Sequence, residues 1–303
     1  MEHNMRLAFL ISTHTDASQL ERLISALPDN SVFFIHVDKK VDIAPFKEAF
    51  IGDERIVFIE HRVDVKWGSI NEVEYQMELV RAALNCREEF SRLITLSGMD
   101  YPLWNKNRII QFFEQDQERE YLMGVDLSTG GLPSKRYTEF YLMTSKKRTL
   151  RYISSVLLRK LICFLGIKKS LKIKTPDKSL NLWKGAAWWA ISPQLASYIL
   201  YEWDTNTELR KYMRTALCPA ELFAQTVAFN SEEWRDKCME FTDKNNCNLP
   251  ALTPLTWVAW QGSEIKVLDE SDYETLKNSG KMFARKVVTG KSDKLVECIK
   301  SAS

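Results

Sequence analysis

The stretch CPAELFAQTV, residues 218 to 227, carries one carboxylate, Glu221, in an otherwise apolar and small-residue run. Two kinds of chemistry suit it. Pro219 fits the first position of a helix, and an acid in that first turn faces the positive end of the helix dipole. Alternatively, Glu221 is a proton acceptor, provided that burial or apolar neighbours such as Leu222 and Phe223 offset the pKa-lowering dipole. Cationic candidates stand later, where MFARK places Arg285 and Lys286 side by side near a short apolar strand. Such a pair can neutralise an anion or can simply be a solvated edge.

Other positions offer binding rather than bond chemistry. His36, Val37, Asp38 and Lys39 close the second apolar run, and ligands of open α/β sheets gather at the carboxyl ends of strands. Trp67, Gly68 and Ser69 open a long helical pattern, whose amino end favours anions. Asp100 in SGMDYP suits a turn before Tyr-Pro as well as a pocket wall. Trp183, Trp188 and Trp189 present apolar faces with a polar handle, which stack on sugars or fill a core. In an extended run only one of the adjacent pair faces a given side, and Trp188 is preferred for the cleft.

The elements that must hold these residues follow from hydrophobic spacing. LAFLIS (7–12), SVFFIHV (31–37), IVFIE (56–60) and LITLSG (93–98) are short, apolar and β-rich, with helical spacing between the first runs at Leu20, Leu23, Ile24 and Leu27. INEVEYQMELVRAALNCREEF predicts a long amphipathic helix, and NRIIQFFEQ predicts another. Alternation of this kind argues for βαβ units around a mostly parallel sheet. WKGAAWWAISP runs as a strand into a helix begun at Pro193 and capped by Ser192, and AELFAQTVAFN predicts a further helix. The tail carries short strands, MFARKVV among them, and a small helix at SDYETLKNS.

Bulk properties narrow the class. The 303 residues are 45% hydrophobic and 27% charged with a formal charge of +2, a globular composition that disfavours a nucleic-acid partner. Between residues 146 and 174 there are ten Lys or Arg and no acids, with apolar residues threaded among them. That segment either lies on an anionic membrane surface or packs its apolar face on the domain. Six cysteines show no CxxC pair and no secreted disulfide spacing, and no run reads as a signal peptide or membrane span, so the chain reads as cytoplasmic. Nucleotide-loop motifs, GxSxG and HExxH are absent, the four histidines lack metal-ligand spacing, and no DxD-type pair follows an apolar strand. No metal or cofactor site is marked by a motif. The simplest organisation is one domain over 1–303, with a nucleotide-binding half (1–125), a basic helical insertion (146–178) and an acceptor half (179–290).

FIHVDKK, VKWGSINEVEYQMELVRAAL, LSGMDYPL, WKGAAWWAISP, PAELFAQTVAFNS and MFARK, in that order, resemble the core-2/I-branching β-1,6-N-acetylglucosaminyltransferases, glycosyltransferase family 14, which include peptide O-xylosyltransferases. The resemblance runs from about Leu7 to Lys286, outside the basic segment. It implies a GT-A-like α/β fold with a mixed, mostly parallel sheet flanked by helices. It also implies a UDP-sugar donor, inversion at the anomeric carbon and no metal requirement. Glu221 matches the family's base, and Lys286 matches a cation on the diphosphate, with Arg285 beside it. His36 to Lys39 would line the uridine side, and Trp67 to Ser69 and Asp100 the rest of the donor pocket. The run TWVAW departs from the family pattern by placing Thr256 where a phosphate-binding Arg is expected, so Arg285, Lys281 or a basic-segment residue would substitute. The reading is a transferase moving GlcNAc, or xylose, onto a glycan or lipid-linked oligosaccharide of bacterial surface polysaccharide at the inner membrane face. The alternative is an inactive nucleotide- or glycan-binding module of the same fold.

Overall fold

Runs such as SVFFIHV, apolar at consecutive positions rather than alternate ones, must be covered on both faces. The computed structural model, which describes residues 5–129, 134–142, 149–243 and 247–302, shows how. The first half contains β1 (Leu7–Thr13), α1 (Ala17–Ser25), β2 (Ser31–Val37), α2 (Ala44–Glu48), β3 (Ile56–Phe58), α3 (Asn71–Leu84), β4 (Arg92–Ser97), β5 (Asp100–Pro102), α4 (Lys106–Gln115) and β6 (Met123–Asp126). A 3₁₀ turn, Ser134–Tyr137, leads to α5 (Leu150–Phe164), β7 (Lys172–Lys174), β8 (Ser179–Asn181), β9 (Trp183–Gly185), β10 (Ala190–Ile191), α6 (Pro193–Thr205) and α7 (Thr207–Met213). A second 3₁₀ turn, Pro219–Glu221, precedes α8 (Phe223–Phe229), β11 (Met239–Glu240), α9 (Leu249–Leu252), β12 (Thr256–Val258), β13 (Trp260–Gln261), β14 (Glu264–Ile265), α10 (Tyr273–Lys277), β15 (Phe283–Arg285) and α11 (Asp293–Ser301).

The central sheet has the order β10-β4-β1-β2-β3, in which β4, β1, β2 and β3 are parallel and β10 runs antiparallel against β4. This is the mixed, mostly parallel α/β sheet expected from the spacing. Period-two geometry divides each strand between two cores. Ala8, Leu10, Val32 and Phe34 join Val73, Met77 and Val80 of α3 and Leu195 and Ile199 of α6. Leu7, Phe9, Phe33 and Ile35 join Leu20, Leu23 and Ile24 of α1 and Ile109 and Phe113 of α4.

Two boundaries depart from expectation. Helix α3 stops at Leu84 with Asn85 as its C-cap, although Cys86 and Phe90 beyond it still pack on the same core. AELFAQTVAFN does not begin as an α-helix: Pro219–Glu221 is a 3₁₀ turn, and α8 starts only at Phe223. The Ser192 cap is as expected, accepting from Leu195 N–H at 3.2 Å. A buried pair, Arg92 with Glu120 at 3.3 Å, anchors that corner, since Glu120 also accepts the Ser192 N–H. All six cysteines are free. No helix among the described residues is long and apolar enough to cross a membrane.

Candidate active site at the Glu221 turn and the ends of β1, β2 and β15

The Glu221 turn is fixed from both sides. Cys218 takes a left-handed conformation, φ 49°, uncommon for a residue with a side chain, and its N–H donates to the Gly68 carbonyl at 3.1 Å. Downstream, Gln225 Nε2 donates to the Ala186 carbonyl at 2.7 Å, and Thr226 Oγ1 accepts the Trp183 N–H at 3.2 Å. These two side chains lay α8 flat on β9. The approach leaves no room at Gly185, where a Cβ would stand 2.0 Å from the Met123 carbonyl oxygen. Lys184, between Trp183 and Gly185, is thereby brought to Glu221, Nζ to Oε2 3.7 Å.

Glu221 does not serve as a cap, because α8 has no side-chain cap at all. Its side chain is 26% exposed beside a Lys184 that is 10% exposed. Burial raises its pKa above the ordinary carboxylate value, while Lys184 and then Arg136 hold it down. The dipole effect expected from the sequence is therefore outweighed. Glu72, in the first turn of α3, is a second carboxyl within reach of Glu221. Its pKa is pushed up to about 7 by burial, with a further rise from Glu221, against a hydrogen bond from the Gly68 backbone. Burial also raises the Tyr137 hydroxyl, with Glu221 adding to the effect.

A basic cluster gathers at the ends of β1, β2 and β15. Antiparallel pairing of β15 with β5 sets Arg285 opposite Asp100, and their side chains approach to 3.6 Å. Asp100 is fully buried, and its other oxygen accepts the Ser97 N–H at 2.7 Å. The Arg285 guanidinium also lies over the Trp188 ring, 4.4 Å from its centroid. Asp38 holds Lys40 at 3.1 Å. His14, after β1, lies in the field of the charges at this end: its pKa is lowered first by burial and then by Lys286, Arg285 and Lys40, against Asp38. Tyr75 of α3 joins the cluster to the Glu221 turn. It stacks on His36 at 5.0 Å, bonds to the Ser12 side chain, and lies in the field of Glu72, Arg285 and Asp100. Burial pushes its hydroxyl up to about 12.

Several residues singled out from the sequence have a different surrounding. His36 and Val37 are interior; His36 Nε2 accepts the Val63 N–H at 2.9 Å, and burial lowers its pKa to about 4. Asp38 is nearly buried and Lys39 exposed, so only the end of that run faces outward. Trp183 and Trp189 are core residues, Trp183 stacked on Phe229 at 4.3 Å, because α8 covers β9; Trp188 stays half-exposed. Trp67 is exposed, the Gly68 carbonyl accepts from Cys218 at the Glu221 turn, Ser69 Oγ donates to the Lys66 carbonyl and accepts the Asn71 N–H, and Glu72 and Glu74 stand in the first turn of α3. Thr256 is buried in β12, and Lys281 donates to the carbonyls of Thr253 and Pro254 at 2.7 and 3.1 Å, which binds it to its own loop. Among the described candidates to replace a missing Arg, Arg285 is the one the fold brings to the cluster, while Lys146, Lys147 and Arg148 of the basic segment lie outside the described residues. Lys184, Glu72, Tyr75 and His14 were not singled out from the sequence; STHTD directly after the first strand was the signal available for His14. Among the described residues no group of three or more His, Cys, Asp or Glu comes together as a metal site.

A family model described as Branch, Core-2/I-Branching enzyme, matches residues 7–287. The chain is 23% identical over 279 residues to the xylosyltransferase sqv-6 of Caenorhabditis briggsae, covering 88% of this chain and 32% of that protein. It is 24% identical over 311 residues to an N-acetyllactosaminide beta-1,6-N-acetylglucosaminyl-transferase of Mus musculus, covering 98% and 72%. A solved structure of the galactosyltransferase LgtC with donor and acceptor sugar analogs aligns over 98% of this chain and 94% of that one, at 8% identity and a TM-score of 0.43. The chain spans about a third of the length of the xylosyltransferases it matches. The match to the family model covers nearly the whole sequence, and the chain belongs to the Core-2/I-Branching enzyme family.

Proposed function

We propose that this chain transfers a sugar from a UDP-sugar to a glycan hydroxyl with inversion, GlcNAc being the favoured sugar and xylose the other candidate. The observation that carries the reading is Glu221, partly buried and held 3.7 Å from Lys184, joined through Glu72 and Tyr75 to a cluster containing Arg285 and Lys286. Glu221 takes the proton of the acceptor hydroxyl as its oxygen attacks the anomeric carbon. The bond from that carbon to the diphosphate breaks, and the configuration inverts. Burial makes Glu221 a better proton acceptor than an exposed carboxylate, while Lys184 keeps it charged beforehand.

The leaving diphosphate gathers negative charge, which fixed cations can stabilise. Arg285, Lys286 and Lys40 around His14 are suited to that task, and with them no divalent ion is required. Asp100 and Trp188 hold Arg285 in place. The acceptor belongs to bacterial surface polysaccharide synthesis and is carried on lipid, with the protein in peripheral contact with the inner membrane face.

Glu221→Gln keeps the shape and removes the base. Turnover of UDP-GlcNAc or UDP-xylose with an oligosaccharide panel should fall by roughly 10²- to 10⁴-fold, while UDP binding persists. A variant as active as the parent would overturn the assignment. UDP binding by the parent without turnover on any acceptor would instead favour a binding module, the reading that the Thr256 departure suggests.

A further inference from the structure

Helix α5 is oriented opposite to an ordinary surface helix. Leu150, Ile153, Leu157, Leu158, Leu161 and Phe164 recur at helical spacing along one side, and all are exposed, Leu150 and Phe164 at 86% and Leu157 at 61%. Leu165 and Ile167 extend the same apolar surface past the helix end. None of its described side chains is buried. Arg159, half a turn away from the stripe, points inward instead: it pairs with Glu139 at 3.6 Å and lies over the Tyr141 ring at 4.4 Å. The leucines thus face outward and the guanidinium faces the protein. Contiguous apolar surface of this kind marks a contact site in a stable protein.

The charge around the stripe selects the partner. Lys160 in α5 and Lys168, next to Ile167, are exposed, as are Lys172 and Lys174 further along the chain in β7, and residues 146–174 contain no Asp or Glu. A flanking set of lysines without acids repels a second copy of the same surface and attracts a negative one. We propose that α5 and the residues to Ile167 form a docking surface for an anionic lipid bilayer, with the helix lying in the interface and not crossing it. The proposal deepens the transferase reading and rests on it only for the acceptor. The segment 134–142 that receives Arg159 also carries Arg136 and Tyr137, both within the field of Glu221. Lys169, buried after α5, fastens the same region by donating to the Tyr212 carbonyl at 2.8 Å and, through its backbone, to the Thr138 carbonyl at 2.8 Å. Docking would therefore hold the Glu221 side of the site near the bilayer, where a lipid-carried acceptor presents its sugar.

The test is sedimentation of the full chain with phosphatidylglycerol-rich vesicles and with pure phosphatidylcholine vesicles, without any sugar donor. Binding should favour the anionic vesicles, weaken with salt, and fall by roughly tenfold in Leu157→Glu/Leu161→Glu and in Lys160→Glu/Lys168→Glu. All four positions are exposed, so thermal unfolding should remain that of the parent, and Glu221-dependent turnover on a soluble acceptor should be unchanged. Equal binding to both vesicle types, or none, would overturn the proposal. So would a dimer by light scattering that Leu157→Glu/Leu161→Glu converts to monomer, which would assign the face to a second copy of the chain.

Discussion

Glu72 and Glu221 place two carboxyl groups in each other's field, and a single proton on Glu72 relieves the repulsion. Glu72 keeps its proton up to about pH 7 in the folded chain, whereas an ordinary glutamate loses it near 4.5. Between those values the folded state binds more protons than the unfolded state, so this group makes stability fall as pH rises from 4.5 to 7. Glu72→Gln mimics the protonated form at every pH. It should therefore gain on the parent between pH 5 and pH 8, reaching an advantage of about 1–3 kcal/mol, read as a higher Tm. A difference in Tm that stays constant over that range would show that burial does not raise the Glu72 titration in the folded chain. At this scale the sequence was half legible. Glu221 stood out because it is alone in an apolar run, whereas Glu72 in a first turn reads as an ordinary dipole-matched surface acid. The contact of α3 with the Pro219–Glu221 turn, marked by the Cys218–Gly68 hydrogen bond across about 150 residues of chain, turns Glu72 into a neighbour of Glu221.

At the scale of elements, the contact of α8 with β9 decides where Glu221 points. Gln225 is fully buried and is held by the Ala186 carbonyl, and Gly185 leaves β9 flush against β6. Gly185→Ala would drive a methyl group into the Met123 carbonyl, which cannot move without breaking the β6–β9 pairing. Denaturant unfolding should show a loss of about 3 kcal/mol or more. Gln225→Leu leaves the Ala186 carbonyl unpaired in the interior and should cost about 1–3 kcal/mol, with kcat reduced as Glu221 loses its register with Lys184. If Gln225→Leu kept full kcat despite lower stability, α8 would not be what aims the base. The strands were legible because burial on two faces writes itself as unbroken apolar runs, and the larger helices because burial on one face writes itself as helical spacing. The 3₁₀ start of the Glu221 turn was not, because it depends on Cys218 adopting a left-handed conformation that nothing in CPAELF demands. Trp183 stayed open between cleft and core because a strand tryptophan faces one or the other according to what packs on it, and here Phe229 of α8 does.

For the molecule as a whole, the net charge of +2 conceals a local concentration of cations at the ends of β1, β2 and β15. None of Lys40, Arg285 and Lys286 is adjacent to His14 in sequence, and the sheet order together with the β15–β5 pairing assembles them. That convergence was visible in the sequence only as separate short motifs. A site built this way stabilises the fold in proportion to its occupancy, and UDP at a hundredfold excess over its Kd should add about 2.7 kcal/mol of stability, measured as a rise in Tm. Because the partners are fixed cations, the rise should shrink as salt increases, survive EDTA undiminished, and be reduced by Lys286→Ala. Glu221→Gln should leave it intact, since Glu221 is not among the charges that act on His14 in that cluster. A Tm rise abolished by EDTA and restored by Mn²⁺ would mean that the cations bind phosphate only with a metal between them, and the proposed metal-free departure of UDP would fall with it.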